Sequence, residues 1–262
     1  MTRATGVAYL DDGGPVLAFA HRGGAYHPEL EGLENTRAAF AHAVALGYRY
    51  LETDVHVTCD GVLLAFHDAV LERVSDRTGP VAQATWEEVR QALVHDRERI
   101  PRMAELLEAF PTARFNIDLK ADAAVGPLAR LLAETGSEDR VMVGSFSARR
   151  LRAFRRLAPR VATSAHPWEV VAFRLLPSAR LARRLAPRCR ALQVPHARGP
   201  LRIVTPGLVR RAHAAGVHVH VWTVDDPDEM AQLLDRGVDG LMTDRTDILR
   251  DVLRERGLWR ES

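Results

Sequence analysis

Five short stretches of this 262-residue chain carry side chains suited to acid–base or cation-assisted chemistry. They are Ala20-His21-Arg22-Gly23-Gly24, Glu52-Thr53-Asp54, His67-Asp68, Asp118-Leu119-Lys120 and Trp222-Thr223. On a strand, residues two apart share a face, so Glu52 points the same way as Asp54, and Asp118 the same way as Lys120. Three carboxylates turned toward one another repel unless a cation or a proton intervenes. All-oxygen ligation by Glu52, Asp54 and Asp118 suits Mg²⁺ or Ca²⁺ rather than zinc. The competing reading is a polar cluster satisfied by neighbouring Arg and Lys. His21 and His67 can serve as general acid and base beside such a cation. Arg22 presents a fork suited to phosphate oxygens, next to glycines that let backbone approach closely.

Those residues need a scaffold that brings distant strand ends together. Apolar runs alternate with amphipathic stretches along the chain. Strands are expected at Val16–Ala20, Tyr50–Val57, Val62–Phe66, Arg114–Leu119, Arg140–Gly144, Arg160–Ser164, Ala191–Val194, Val217–Val224 and Gly240–Met242. Helices are expected at Thr36–Leu46, Ala124–Glu134, Ala148–Leu157, Pro206–Ala215, Pro227–Asp235 and Thr246–Glu255. Alternation of this kind means a parallel sheet covered by helices. Only Cys59-Asp60-Gly61 separates the second and third strands, and Asp-Gly is a hairpin signal, so Val62–Phe66 should run antiparallel outside the main sheet. Eight parallel strands remain, which predicts an α/β (β/α)8 barrel with the chemistry at the C-terminal strand ends. The chain reads as one domain, 1–262, with residues 67–112 inserted at the barrel mouth after the hairpin.

Composition narrows the class further. The 36 bases and 34 acids give a formal charge of +2, too mixed for a disordered acidic tail. Thirty-five of the bases are Arg, and the single Lys is Lys120. Between Arg149 and Arg211 there are sixteen Arg and one acid, Glu169, a local +15. Such a block attracts anions, or else forms solvated faces paired with acids of the same fold. Within it, Trp168–Leu185, broken by Pro177, could lie on an anionic membrane or pack on a barrel. No aromatic interleaving suggests a nucleic-acid partner. Two cysteines, Cys59 and Cys189, form no disulfide framework, and neither a signal segment nor an 18-residue apolar run is recognisable. The expectation is a soluble cytoplasmic protein. Among the other histidines, His42, His95, His166, His196 and His213 read as structural. His218 and His220 read as core, and His56 stays open.

The motif series resembles the glycerophosphodiester phosphodiesterase family, within the phospholipase-C-like phosphodiesterase superfamily. The blocks run from Ala20 to about Asp247. They are His21-Arg22-Gly23, Glu34-Asn35-Thr36, Glu52-x-Asp54-Val55, Thr58-x-Asp60-Gly61, His67-Asp68, Leu71-x-Arg73, Asp118-Leu119-Lys120, Val221-Trp222-Thr223-Val224 and Gly237–Asp244. The resemblance implies a metal-dependent enzyme that hydrolyses a glycerophosphodiester to glycerol 3-phosphate and an alcohol. It implies that Glu52, Asp54 and Asp118 hold one divalent cation, Mg²⁺ or Ca²⁺. His21 and His67 are then the acid–base pair, with their division of labour open, and Arg22, Lys120 and Trp222 bind substrate. A neighbouring glycerol hydroxyl is the implied nucleophile, by way of a cyclic phosphate that water opens.

Two departures stand out. Asp118 occupies a position where the family more often has Glu, and the Gly23–Glu34 segment is longer, adding Tyr26 and His27. The alternative substrate is a lysophospholipid at a membrane surface. A catalytically silent phosphate- or nucleic-acid-binding barrel is the alternative from another class.

Overall fold

In the computed structural model, which describes residues 6–11 and 14–260, the apolar runs pair in chain order around a closed ring. Residues 1–5, 12 and 13, part of the N-terminal segment in which no signal segment is recognisable, lie outside the described ones. The strands of this main sheet are β1 (Leu17–Ala20), β2 (Tyr50–Val57), β3 (Leu63–Ala65), β4 (Arg114–Leu119), β5 (Val141–Gly144), β6 (Ala162–Ser164), β7 (Cys189–Pro195), β8 (His218–Trp222) and β9 (Gly240–Thr243). All except β3 pair in parallel with their neighbours, and β1 closes the ring on both β2 and β9. The protein is a (β/α)8 barrel. The Asp60-Gly61 turn sends β3 back antiparallel on β2, with Val55 opposite Ala65 and Val57 opposite Leu63.

The helices are α1 (Arg37–Ala45), α2 (Trp86–Val89), α3 (Met103–Ala109), α4 (Val125–Glu134), α5 (Ala148–Leu157), α6 (Pro167–Leu175), α7 (Ala179–Leu185), α8 (Pro206–Ala214), α9 (Pro227–Asp235) and α10 (Thr246–Glu255). Side-chain oxygens of Thr36, Ser147, Thr205 and Asp226 accept backbone N–H bonds at the starts of α1, α5, α8 and α9. These caps satisfy donors that a helix start leaves unpaired. Pro177 separates α6 from α7, so the Trp168–Leu185 stretch is two helices.

Strand alternation sorts the core. Leu51, Val55, Phe115, Ile117 and Leu119 face outward and pack, fully buried, with helix residues such as Phe40, Leu106 and Leu128. Each such side chain contributes roughly 1.5–3 kcal/mol on burial. Inside the ring, Phe19, Tyr50, Met142 and Met242 form a separate cluster with Tyr9. The Tyr50 hydroxyl donates to the Tyr9 carbonyl at 2.8 Å, tying the N-terminal segment to the barrel floor. Gly240 is required there, because a Cβ would meet Phe19 at 2.8 Å and His220 at 3.0 Å. The chain between β3 and α3 folds around a third cluster, in which Leu30 and Leu33 from the β1–α1 connection join Phe66, Leu71, Val74, Val81, Val89, Val94 and Ile100.

The basic block has several fates. Arg155 is buried and makes a two-pronged pair with Glu169 at 2.7 and 3.0 Å, plus bonds to Thr163 Oγ1 and the Ser164 carbonyl. Arg183 and Arg211 donate to backbone carbonyls, whereas Arg149 and Arg160 are largely exposed. Breaking a buried pair strands the partner's charge. Arg155→Ala is therefore expected to lower unfolding free energy in urea by about 3–5 kcal/mol. Arg149→Ala, at the exposed end of the block, should move it by less than about 1 kcal/mol. Equal effects would contradict this division.

Candidate active site

The two-residue spacings act as the alternation rule requires. Asp54 lies opposite Asp118 in the β2–β4 register, and Glu52 opposite Asn116, so these side chains enter the barrel one layer apart. Lys120, just past β4, reaches back to both acids, with Nζ 2.9 Å from Asp54 Oδ1 and 2.7 Å from Asp118 Oδ2. The Asp54 carboxyl stays below the usual carboxylate range despite burial, because Lys120 and Arg22 favour its charge. Lys120 is likewise held more firmly protonated than usual, the two aspartates outweighing its burial. Glu52 behaves in the opposite way. Burial and the neighbouring Asp54 push its carboxyl up to about 7.

β1 delivers His21 and Arg22 into a tight turn. Arg22 adopts a left-handed φ of 50°, and Gly23 and Gly24 follow, each at 88°. The glycines also permit close packing, since a Cβ on Gly23 would meet Ala39 at 2.7 Å and one on Gly24 would meet Thr246 at 2.6 Å. The Arg22 backbone N–H donates to Glu52 at 3.1 Å. Its guanidinium lies 3.2 Å from Glu34 and 3.3 Å from Asp54. His21 Nδ1 bonds Asp244 at 2.9 Å, leaving Nε2 toward Glu52 at 3.7 Å. Burial opposes charging of this imidazole, yet Glu52 and Asp244 prevail and raise it to about 9.

The hairpin returns His67 two residues past the end of β3. Its Nδ1 bonds Asp68 at 2.6 Å, and its backbone carbonyl accepts from His56 Nε2 at 3.1 Å. Burial pushes the His56 imidazole below its usual range, and its bond to the His67 carbonyl makes it a strut for that residue. Both His21 and His67 thus have an aspartate on Nδ1, which fixes the ring and frees Nε2. A chain of contacts links the two. Arg73 donates to Glu34 at 2.6 and 2.8 Å and also to Asp68, while Glu34 meets Arg22. Burial works against the charged Glu34, but Arg73 and Arg22 hold its carboxyl below the usual range. Asn35 donates to Asp54 at 3.2 Å and accepts from Thr53 at 2.7 Å, fixing the carboxylate from behind.

Trp222, ending β8, lies edge-on to Phe146, with ring centres 5.8 Å apart, and Lys120 Nζ is 5.9 Å from the Phe146 ring. His220 sits fully buried inside the barrel, its imidazole pushed down to about 3 by burial and by His218. Of the eight side chains singled out from the sequence, six lie at or just beyond the C-terminal ends of β1, β3, β4 and β8, whereas Glu52 and Asp54 enter the barrel from within β2. Asp244, Glu34 and Asn35, quoted above only within motif blocks, are the partners that orient them. Phe146 was missed, although Gly144-Ser145-Phe146 follows β5 and the strand-end rule could have found it.

The acidic trio fits a hard divalent cation by its chemistry. Its donors are all carboxylate oxygens, and burial together with Asp54 disfavours the charged form of Glu52, a cost that a bound cation would offset. Among the described residues, the three potential ligands whose atoms lie within 4.8 Å of one another are instead His27, Glu29 and His42. That group lies on the long β1–α1 connection and on α1. Its members already contact one another, Glu29 N donating to His27 Nδ1 at 3.2 Å and His42 lying 3.7 Å from the Glu29 carboxylate.

A (β/α)8 barrel that gathers two His–Asp pairs, buried carboxylates, a guanidinium and an ammonium at one mouth has the make-up of a hydrolase for phosphate esters. The chain belongs to the glycerophosphoryl diester phosphodiesterase family, whose model it matches over residues 21–248. It is 41% identical to "Probable glycerophosphodiester phosphodiesterase 2" of Mycobacterium tuberculosis, over 95% of this chain and 98% of that protein. It is 26% identical to lysophospholipase D GDPD1 of Homo sapiens, over 89% of this chain and 85% of that one. The fold also matches a solved glycerophosphodiester phosphodiesterase from Agrobacterium tumefaciens at a TM-score of 0.74 and 24% identity, covering 89% of this chain and 99% of the other.

Proposed function

We propose that the chain hydrolyses glycerophosphodiesters to glycerol 3-phosphate and an alcohol, as one domain spanning 1–262 with 67–112 inserted at the mouth. The observation that carries this reading is that two Asp-backed histidines, His21 on Asp244 with Nε2 3.7 Å from Glu52 and His67 on Asp68, come to the end of the barrel that holds Asp54, Asp118 and Lys120. Arg22 and Lys120 bind the phosphate oxygens, and Trp222 with Phe146 walls the glycerol end. One histidine takes the proton of the glycerol hydroxyl next to the phosphate ester as that oxygen attacks phosphorus. The other gives a proton to the departing alkoxide. Water then opens the cyclic phosphate with the two roles exchanged. Glu52, Asp54 and Asp118 would hold one divalent cation, Mg²⁺ or Ca²⁺, which when bound neutralises charge on the phosphoryl oxygens.

Lysophospholipid is the second substrate reading. It is favoured by the exposed Phe146 ring at the mouth and by the similarity to the human lysophospholipase D. Choline release from glycerophosphocholine and from lysophosphatidylcholine, each with chelator or with added Mg²⁺ or Ca²⁺, tests both. Turnover of the first substrate only selects the soluble diester, preference for the second selects the lysolipid, and turnover of neither rejects the assignment. No helix among the described residues is long and apolar enough to cross a membrane. The two free thiols suit a reducing compartment, so cytoplasmic action, with contact to anionic membrane, is part of the proposal.

Lys120 also tests the site. A compact ammonium fits between Asp54 and Asp118, where a planar guanidinium would be displaced outward. Lys120→Arg is expected to cut kcat/KM by about 10²-fold, the usual result of misplacing a group by an ångström. Its urea midpoint should stay near that of the wild type. A fully active Lys120→Arg enzyme would remove Lys120 from the substrate site.

A further inference from the structure

The helices α6 and α7 carry an apolar stripe that no other described part of the chain covers. Trp168 and Leu175 are 73% and 72% exposed, and Val171 stands between them on the same face of α6. On α7, Leu181 and Leu185 are four apart, and Leu185 is 61% exposed. The spacings of three and four place these residues on one side of each helix. The opposite side of α6 is fastened to the barrel by buried Phe173 and by Glu169, which Arg155 holds. The stripe is therefore the outer face of firmly anchored helices.

Charge says what could cover it. Arg180 and Arg184 are exposed beside the leucines on α7, Arg174 is half-buried on α6, and Glu169, turned inward, is the one acid between Arg149 and Arg211. Trp and Leu bordered by Arg, with no exposed acid, is the pattern of a helix that lies in the interface of an anionic bilayer. A soluble protein partner would need acids of its own facing the same arginines, together with a complementary apolar surface. α6 begins just past the C-terminal end of β6, so Trp168 stands at the mouth end of this flank. Exposed Phe146 lies on the preceding connection, after β5.

We propose that the α6–α7 face docks the protein on anionic phospholipid surfaces, Trp168, Leu175 and Leu185 entering the headgroup boundary and Arg180 and Arg184 meeting lipid phosphates. This deepens the membrane element of the functional reading and names the surface responsible. It does not depend on which phosphodiester is hydrolysed.

Co-sedimentation of the full chain with phosphatidylcholine vesicles, with and without phosphatidylglycerol, tests it. Binding should require the anionic lipid and weaken as salt rises. The triple variant Trp168→Ser, Leu175→Ser, Leu185→Ser should bind anionic vesicles at least about 10-fold more weakly. Arg180→Glu with Arg184→Glu should remove the preference for anionic lipid. Both variants should turn over glycerophosphocholine as the wild type does, since none of these residues lies in the catalytic site. Wild-type protein that ignores anionic vesicles, or a triple variant that binds them undiminished, would overturn the proposal. So would sedimentation velocity showing a wild-type dimer that the triple variant loses, because a second copy would then own the stripe. Absence of diester turnover in the wild type would count against the enzymatic reading and leave vesicle binding as a separate result.

Discussion

Glu52→Gln is expected to lower glycerophosphodiester turnover by at least about 10³-fold, the upper range for loss of one preorganised electrostatic contact. The substitution keeps size and removes charge at the point where three functions meet. Glu52 accepts the Arg22 backbone N–H, faces His21 Nε2, and is one of the three carboxylates suited to a cation. Two further readouts separate this account from simple unfolding. In chelator, the His21 ring of the wild type is expected to titrate near 9, since Glu52 and Asp244 outweigh burial. Without the Glu52 charge its midpoint should fall, as NMR of the ring would show. Stability should also change with pH. Glu52, raised from 4.5 to about 7, and His21, raised from 6.5 to about 9, both bind protons more tightly in the folded state. The stability these two groups contribute in the metal-free wild type should therefore be lost as pH climbs from about 5 to about 9, opposed below about 6.5 by buried histidines such as His220. In Glu52→Gln the lower part of that decline should vanish. An active Glu52→Gln enzyme with His21 titrating as before would refute the role given to Glu52.

The second large effect is at His67. Positioned proton transfer typically contributes about 10²–10⁴-fold, and His67→Ala should lose that much in kcat. Stability should change little. The ring is partly exposed, and Asp68 keeps Arg73 as a partner after the imidazole is removed. The leaving group then divides acid from base. With a p-nitrophenyl ester of glycerophosphate, whose phenolate departs without a proton, His67→Ala should regain most of the loss if His67 is the acid. It should regain nothing if His67 is the base. Wild-type rates on both substrates would end its assignment to proton transfer.

The barrel was legible in the sequence because its signals are local. Asp60-Gly61 marks a hairpin whatever surrounds it, and pairs such as Glu52/Asp54 follow strand alternation without knowledge of the neighbours. The lone Lys at 120 stood out by counting and proved to bridge Asp54 and Asp118. The supporting contacts were less legible because they join residues far apart in the chain. Asp244 reaches His21 across 223 positions, and nothing near Asp244 announces that partner. Glu34 gains its place only when the hairpin insertion brings Arg73 to the carboxylate that Arg22 also contacts. The basic block stayed ambiguous for a related reason: charge counting cannot tell Arg155, locked on Glu169, from the largely exposed Arg149. Short elements such as α2 and α3 escaped notice because four- to seven-residue helices hold through tertiary contacts rather than through their own periodicity.

Phosphorus NMR of one reaction shows which ester bond breaks and whether a cation is needed. Wild-type protein is incubated with glycerophosphocholine and a divalent cation, and the phosphorus products are followed with time. The site described here predicts that glycerol 3-phosphate accumulates with choline, that chelator stops it, and that any early extra signal is a cyclic glycerol phosphate. Accumulation of phosphocholine with glycerol would show the other ester bond breaking. That result, or equal turnover in chelator, would contradict the account.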